Sequence, residues 1–250
     1  MVVVTGATSG IGEATAAAFR AAGARVVGTG RDQRRLMALA PRVDLALTLD
    51  VRDPRSVDMA QAAVLDRFGR VDVLVNNAGV GLFEGWEQTD VAAFGRVLEV
   101  DLLGPVRVAR AFLPGMVSAG RGVLVNVASV AGLRGYPRHT AYCAAKHGLV
   151  GWSRALQKDL GGTGVHVALV CPPAVDTPFF AAAGYVDWKE DHPGFQAMTA
   201  AEVASGILDA VRHRRRQVVL SRRARLLYAL DLLAPDLVDH LQDWKNRHRR

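Results

Sequence analysis

The chain has 250 residues, half of them apolar, with two cysteines and a formal charge of +7. That length supports one large α/β domain with a substantial core, while two cysteines exclude a disulfide scaffold and fit a reducing compartment. The charge excess is local: residues 212–250 carry 11 Lys/Arg against 4 Asp/Glu, and the rest of the chain balances.

No apolar stretch approaches the roughly 20 residues of a membrane span. No aromatics interleave the basic runs in the manner of a nucleic-acid stacking surface, so no nucleic-acid partner is expected. No His/Cys/Asp/Glu cluster suggests a metal site. Met1–Val4 runs into a glycine-rich turn without a basic leader, so a cytoplasmic location is expected.

The predicted elements alternate. Val2–Thr5 reads as a buried strand, followed by Thr5-Gly6-Ala7-Thr8-Ser9-Gly10-Ile11-Gly12 and an alanine-rich helix to about Ala22, closed by Gly23. Strands follow at Arg25–Thr29 and Leu45–Leu49, and Asp53-Pro54 marks a helix start. Asp72–Val75 is the fourth strand, 91–117 one long helix, Gly122–Ala128 the fifth strand and 140–160 a helix. Val165–Val170, a helix over 200–213 and a short strand at Gln217–Leu220 complete the body. Nearly continuous apolar strands alternating with helices mean a parallel sheet covered on both faces, a single doubly wound α/β domain over 1–220. Residues 221–250 form a basic helical extension of it, with leucines flanked by arginines up to Pro235 and a second short helix to Trp244. The segment Pro173–Pro193 lacks periodicity and carries Phe179, Phe180, Tyr185 and Trp188, which suits a lid over a site.

Three features carry chemistry. The first strand ends in Gly6-x-x-x-Gly10-x-Gly12 and a helix follows. Glycines there permit a tight turn and close approach to a pyrophosphate, and the helix start supplies free N–H groups. Tyr142 and Lys146 are spaced i, i+4, so one helix face holds a phenol and an ammonium that can act as one acid/base unit. Ser129 lies thirteen residues before the tyrosine.

These motifs, together with Asn76-Asn77-Ala78-Gly79, resemble the short-chain dehydrogenase/reductase family in their order and spacing over about Val2 to Leu220. The resemblance implies a Rossmann sheet of seven parallel strands, a nicotinamide cofactor and hydride transfer between an alcohol and a carbonyl. It makes Tyr142 the general acid in reduction and the base in oxidation. A free phenol, with a pKa near ~10, is too weakly acidic for that role near neutrality. Lys146 and a positive oxidised nicotinamide are expected to lower it, and Lys146 to bind the nicotinamide ribose. Ser129 is expected to hydrogen-bond the substrate oxygen.

The resemblance places Gly6, Thr8, Ser9, Gly10, Ile11 and Gly12 on the cofactor, Asp50 and Val51 beside the adenine, and Asn77, Ala78 and Gly79 along the adenosine side. Pro172, Val175 and Thr177 would border the nicotinamide. No acid ends the second strand at Gly30, and Arg31 follows at once, with Arg34 and Arg35 one turn on. An arginine there suits a 2′-phosphate, so NADP(H) is expected over NAD(H). The alternative has Asp32 on the ribose and Arg31 on the surface. Val130, Leu133, Tyr136, Phe179 and Phe180 are expected to line an apolar substrate pocket for a small carbonyl or alcohol. His139 reads as a solvated residue at a helix start, with lining of the substrate pocket as the alternative, and Cys143 and Cys171 as packing residues. Family members are usually dimers or tetramers.

Two positions depart from the family pattern. Asp101 stands where an asparagine is usual, and a charge there would partly cancel the effect of Lys146 on Tyr142. Pro172-Pro173 replaces Pro-Gly, and Pro173 lacks an N–H and cannot take positive φ. The leucine-and-arginine tail fits, in descending order, a cover for the substrate pocket, an oligomer contact or a peripheral membrane surface. Rival readings are a cofactor-binding sensor or scaffold without turnover, and an NAD-dependent alcohol dehydrogenase of the same fold.

Overall fold

A computed structural model describes residues 1–185, 196–236 and 238. Seven parallel strands form one sheet: β1 (Val2–Val4), β2 (Val26–Gly30), β3 (Leu45–Thr48), β4 (Val73–Asn76), β5 (Gly122–Val127), β6 (Val165–Cys171) and β9 (Gln217–Val219). Their order is β3-β2-β1-β4-β5-β6-β9. Residues of β1, β2, β4 and β5 are buried throughout, as a sheet covered on both faces requires.

On one face, Ala16 and Phe19 of α1 (Gly10–Ala21) meet Val203, Ile207 and Ala210 of α8 (Ala200–Arg212) over the sheet valines. On the other, Val57, Ala60 and Val64 of α3 (Pro54–Phe68) pack beside Val108, Phe112 and Met116 of α5 (Gly104–Ser118). The chain winds outward from β1 in one direction, then returns through β4 to wind the other way. The crevice between the carboxyl ends of β1 and β4 is therefore the topological switch point, where open α/β sheets bind ligands.

Local chemistry sets the element ends. Asp53 accepts from the Arg55 N–H, Pro54 occupies the first turn, and Gly69 closes α3 at φ +73°. A helix absent from the sequence reading, α2 (Gln33–Leu39), starts from Asp32, whose carboxylate accepts from the Arg35 N–H. The helix expected over 91–117 is in fact α4 (Val91–Leu98) and α5, joined by a π turn at Glu99–Leu103. The Gly104 N–H bonds the Glu99 carbonyl, five residues back. Pro105 cannot donate to the Asp101 carbonyl, so the ordinary ladder fails at this point.

The stretch read as an aperiodic lid contains β7 (Val175–Asp176), paired in parallel with β8 (Met198–Thr199), and the single turn α7 (Phe179–Ala182). Trp188 lies outside the described residues. The arginine–leucine segment forms α9 (Arg222–Leu233), and residues 237 and 239–250, where a second short helix to Trp244 was expected, lie outside the described residues. No helix among the described residues is long and apolar enough to cross a membrane.

Candidate active site

Gly6 and Gly10 take left-handed φ values of +65° and +55° between β1 and α1. A Cβ at Gly12 would overlap the Gly6 carbonyl and lie 2.5 Å from the Asn77 side-chain nitrogen, so only glycine lets α1 seat this closely. The Asn-Asn-Ala-Gly segment staples the turn: the Asn77 amide donates to the Thr5 carbonyl at 2.9 Å. Thr5 Oγ1 in turn accepts the Asn77 and Ala78 N–H groups at 3.0 Å each. Ser9 stands at the start of α1 without a side-chain cap, which leaves the first N–H groups for another acceptor.

Past the end of β2, Asp32 is spent on capping α2. Asp50 is held by Arg52 at 2.6 Å, and those hydrogen bonds, against the cost of burial, keep its carboxyl below the usual range. Arg31 is half-exposed and only loosely coupled to Asp50, at 4.0 Å.

Ser129 follows β5 and begins a 3₁₀ turn, its hydroxyl accepting the Ala131 N–H at 3.1 Å. A Cβ at Gly132 would sit 2.6 Å from the Lys146 carbonyl oxygen, so this glycine lets the serine turn abut α6 (Thr140–Asp159). The Val130 N–H donates to the Pro172 carbonyl at 3.0 Å, tying the same turn to the Pro172-Pro173 segment. A buried polar chain aligns α6 with the sheet. The Asn76 amide donates to Asn126, the Asn126 amide to Ser153 and the Ser153 hydroxyl to the Leu149 carbonyl.

On α6, Lys146 Nζ donates to the Val127 carbonyl at 3.2 Å and pairs with Asp101 at 3.1 Å. It lies 5.5 Å from the Tyr142 ring centre. Asp101, carried by the π turn, is fully buried, and its other oxygen accepts the Val80 N–H at 2.8 Å. Burial pushes the Asp101 carboxyl up against the pull of Lys146 and Val80. Burial would push Lys146 down, but Asp101, with Tyr142, more than offsets it, and the ammonium is strengthened. At 3.1 Å the two charges compensate each other's lost water, so the ion pair is the form this geometry favours.

Burial raises the Tyr142 phenol above its ordinary value, while Lys146 pulls it down, the direction expected of that lysine. Asp101 adds to the rise, and a hydrogen bond with Ser129 opposes it.

The glycine turn and Tyr142 open onto one cavity of about 1600 Å³. The expected site residues line it with three exceptions. Gly12 lies behind the turn, and Asp101 sits beneath Lys146. Leu133, expected at the substrate, is instead buried in the core with Leu149, Leu169 and Val219. Its position follows the serine turn inward, where the apolar edge of the sheet claims it.

His139 precedes α6 as expected, but it is not simply solvated. Its ring lies 4.7 Å from Phe83 and lines the cavity. Phe83, which the sequence reading passed over, centres the aromatic wall, with ring centres 5.7 Å from Tyr142, 5.9 Å from Phe179 and 5.2 Å from Phe180. A lone aromatic just after the Asn-Asn-Ala-Gly strand end was the available signal. Cys143 and Cys171 are buried, and burial pushes the Cys171 thiol up to about 12, against weaker pulls from Arg154 and Lys146.

Comparison with known proteins bears on this arrangement. The family described as short chain dehydrogenase matches residues 1–185. Mouse dehydrogenase/reductase SDR family member 7B is 33% identical over 235 residues, 88% of this chain and 73% of that protein. A serine dehydrogenase solved in complex with NADP+ is 30% identical, covers 87% of this chain and 91% of its own, and has a TM-score of 0.80. A Burkholderia phymatum short-chain dehydrogenase/reductase solved with NAD is 27% identical, covers 94% of each chain, and has a TM-score of 0.84. The family match over residues 1–185 and the relatives that cover most of this chain make it a member of the short-chain dehydrogenase/reductase family of oxidoreductases.

Proposed function

We propose that the chain is an NADP(H)-dependent reductase of carbonyl groups on largely apolar substrates. The reading rests on one observation: Ser129, Tyr142 and Lys146 meet in the same cavity as an uncapped helix start and Arg31. The residues present fit the cofactor. The glycines let the turn pack against Asn77, Ala78 and Thr177 where a Cβ would collide, and the free N–H groups at the start of α1 suit a pyrophosphate. Arg31 is exposed and loosely paired, with no acid at Gly30 to hold a ribose diol, which favours a 2′-phosphate. A bound nicotinamide would supply the hydride.

The chain's own residues would do the rest. Tyr142 donates its proton to the carbonyl oxygen, and the Ser129 hydroxyl holds that oxygen by a hydrogen bond. An ammonium has three N–H donors. Lys146 gives one to the Val127 carbonyl and faces Asp101 as an ion pair, and a remaining N–H would serve the cofactor ribose. Its charge steadies the phenolate that Tyr142 becomes. The raised phenol keeps its proton near neutrality and so can act as the acid of the reduction.

The test is consumption of NADPH, and separately NADH, against aldehydes, aliphatic and aromatic ketones, and quinones. Turnover preferring NADPH is expected, with a loss of roughly 10²–10⁴-fold in Tyr142→Phe and a swing toward NADH in Arg31→Asp. Unchanged turnover in Tyr142→Phe would remove the mechanism. NADPH binding without turnover of any substrate would favour the sensor reading instead.

A further inference from the structure

Part of the cavity wall is made by the start of α9. Ser221, Arg222, Arg223, Ala224 and Leu227 line it. The helix is held there by four ties. Arg134, itself buried, pairs with Asp231 at 2.8 Å. Arg154 donates to the Tyr228 hydroxyl at 2.9 Å, and Arg225 to the Val219 carbonyl at 3.1 Å. Ala224 and Tyr228 pack on the apolar cluster around Leu133 and Leu149. These contacts use Arg134, Arg154 and Arg225 and leave Arg222 and Arg223 at the mouth without a hydrogen bond or ion pair among the described residues.

Charge in the cavity is one-sided. Its only acidic lining residues among those described are Asp32 and Asp50, both at the Arg31 end, the first capping α2 and the second gripped by Arg52. The other described lining residues carry no carboxylate, and they include the guanidinium groups of Arg222 and Arg223 in the first turn of a twelve-residue helix that Ser221 caps. Leu227, Val130, Phe179 and Phe180 give the same cavity an apolar lining.

We infer that Arg222 and Arg223 form an anion subsite, and that the substrate is an apolar carbonyl compound with a carboxylate or phosphate at the end remote from the reacting carbon. The inference rests on the carbonyl-reductase reading and specifies its substrate class. An arginine pair matches the geometry of either anion, and a cleft lined by one sign of charge concentrates ligands of the other.

Calorimetric titration of the full chain, with and without NADP+, would use 4-phenylbutyrate, 3-phenylpropyl phosphate and neutral 4-phenylbutyramide. At least one anion should bind roughly fivefold to tenfold tighter than the amide, as suits a charge-assisted contact still open to solvent. The advantage should fall at high salt. It should vanish in the Arg222→Ala/Arg223→Ala double variant and largely return in Arg222→Lys/Arg223→Lys, which separates lost charge from a disturbed helix. A carboxylate-only or phosphate-only advantage assigns the group. Equal binding of all three ligands, or an advantage that survives the alanine variant, overturns the subsite. The readout needs no turnover. An inactive protein that still prefers the anion would break the reductase reading and leave the subsite standing.

Discussion

The two ends of the cavity are built by different means. At the Arg31 end, backbone does the shaping: left-handed glycines, a helix start without a cap, and Thr5 and Asn77 fastening one turn. Beyond Tyr142, side chains from three distant segments converge, with Phe83 after β4, Phe179 and Phe180 on α7, and Arg222 and Arg223 on α9. The first end tolerates almost no change in residue type, because a Cβ at Gly12 meets backbone. The second can change its side chains and keep its fold, which is where one scaffold acquires its own substrate.

The sharpest way to break the contrast is Gly12→Ala. The added methyl would press on the Gly6 carbonyl and the Asn77 amide, neither of which can retreat without opening the turn. Overpacking of this kind costs about 1–3 kcal/mol. NADPH affinity should fall more than about tenfold, with a lower melting temperature. Retained affinity and stability would mean that the turn is far more pliant than its geometry implies.

The contrast also explains what could be read from the chain alone. The seven strands, the glycine turn and the Tyr142–Lys146 face were legible because each follows from a local pattern: buried apolar runs, a glycine after a strand, a four-residue spacing. Even the Asp53-Pro54 helix start was there to be read. The π turn at Glu99–Leu103 was hidden because α-helical periodicity runs straight across it, and only Gly104-Pro105 marks the break. Phe83 escaped because its role depends on segments more than fifty residues away, whereas the arginine–leucine tail, read first as a cover for the substrate pocket, does line the cavity at the start of α9. Leu133 was misplaced for the converse reason. Its nearness to Ser129 in sequence said nothing about which way a tight turn would direct it.

Asp101→Asn tests the boundary between the two ends. Asparagine has a single acceptor oxygen, so it can keep the Val80 N–H but then turns its NH2 donor toward Lys146, and part of the about 3–5 kcal/mol typical of breaking a buried pair should be lost. The pH profile should move. Asp101 helps hold the Tyr142 phenol up, so removing its charge lowers that group's pKa. Oxidation, which needs the phenolate, should then gain activity at lower pH. Reduction, which needs the phenol, should lose activity at lower pH than in the wild type. Neutral-pH kcat should change by less than about tenfold, since Tyr142, Ser129 and Lys146 all remain. Superimposable profiles would mean that Asp101 exerts no field on the tyrosine.

The smallest effect is expected from Phe83→Leu. The ring touches Tyr142, His139, Phe179, Phe180 and Tyr185, so it joins the aromatic wall to the acid/base helix. Leucine keeps an apolar group in the space but loses the edge-to-face contacts, each worth about 0.5–1.5 kcal/mol beyond area burial. The neighbours can still rest on one another, because Tyr142 meets Phe179 directly at 5.7 Å. KM for bulky aromatic ketones should therefore rise a few-fold, while kcat and the NADPH affinity hold. A fall in kcat with unchanged KM would instead make Phe83 a support for the placement of Tyr142. The division between a fixed cofactor end and an adaptable substrate end would then run through the aromatic wall rather than behind it.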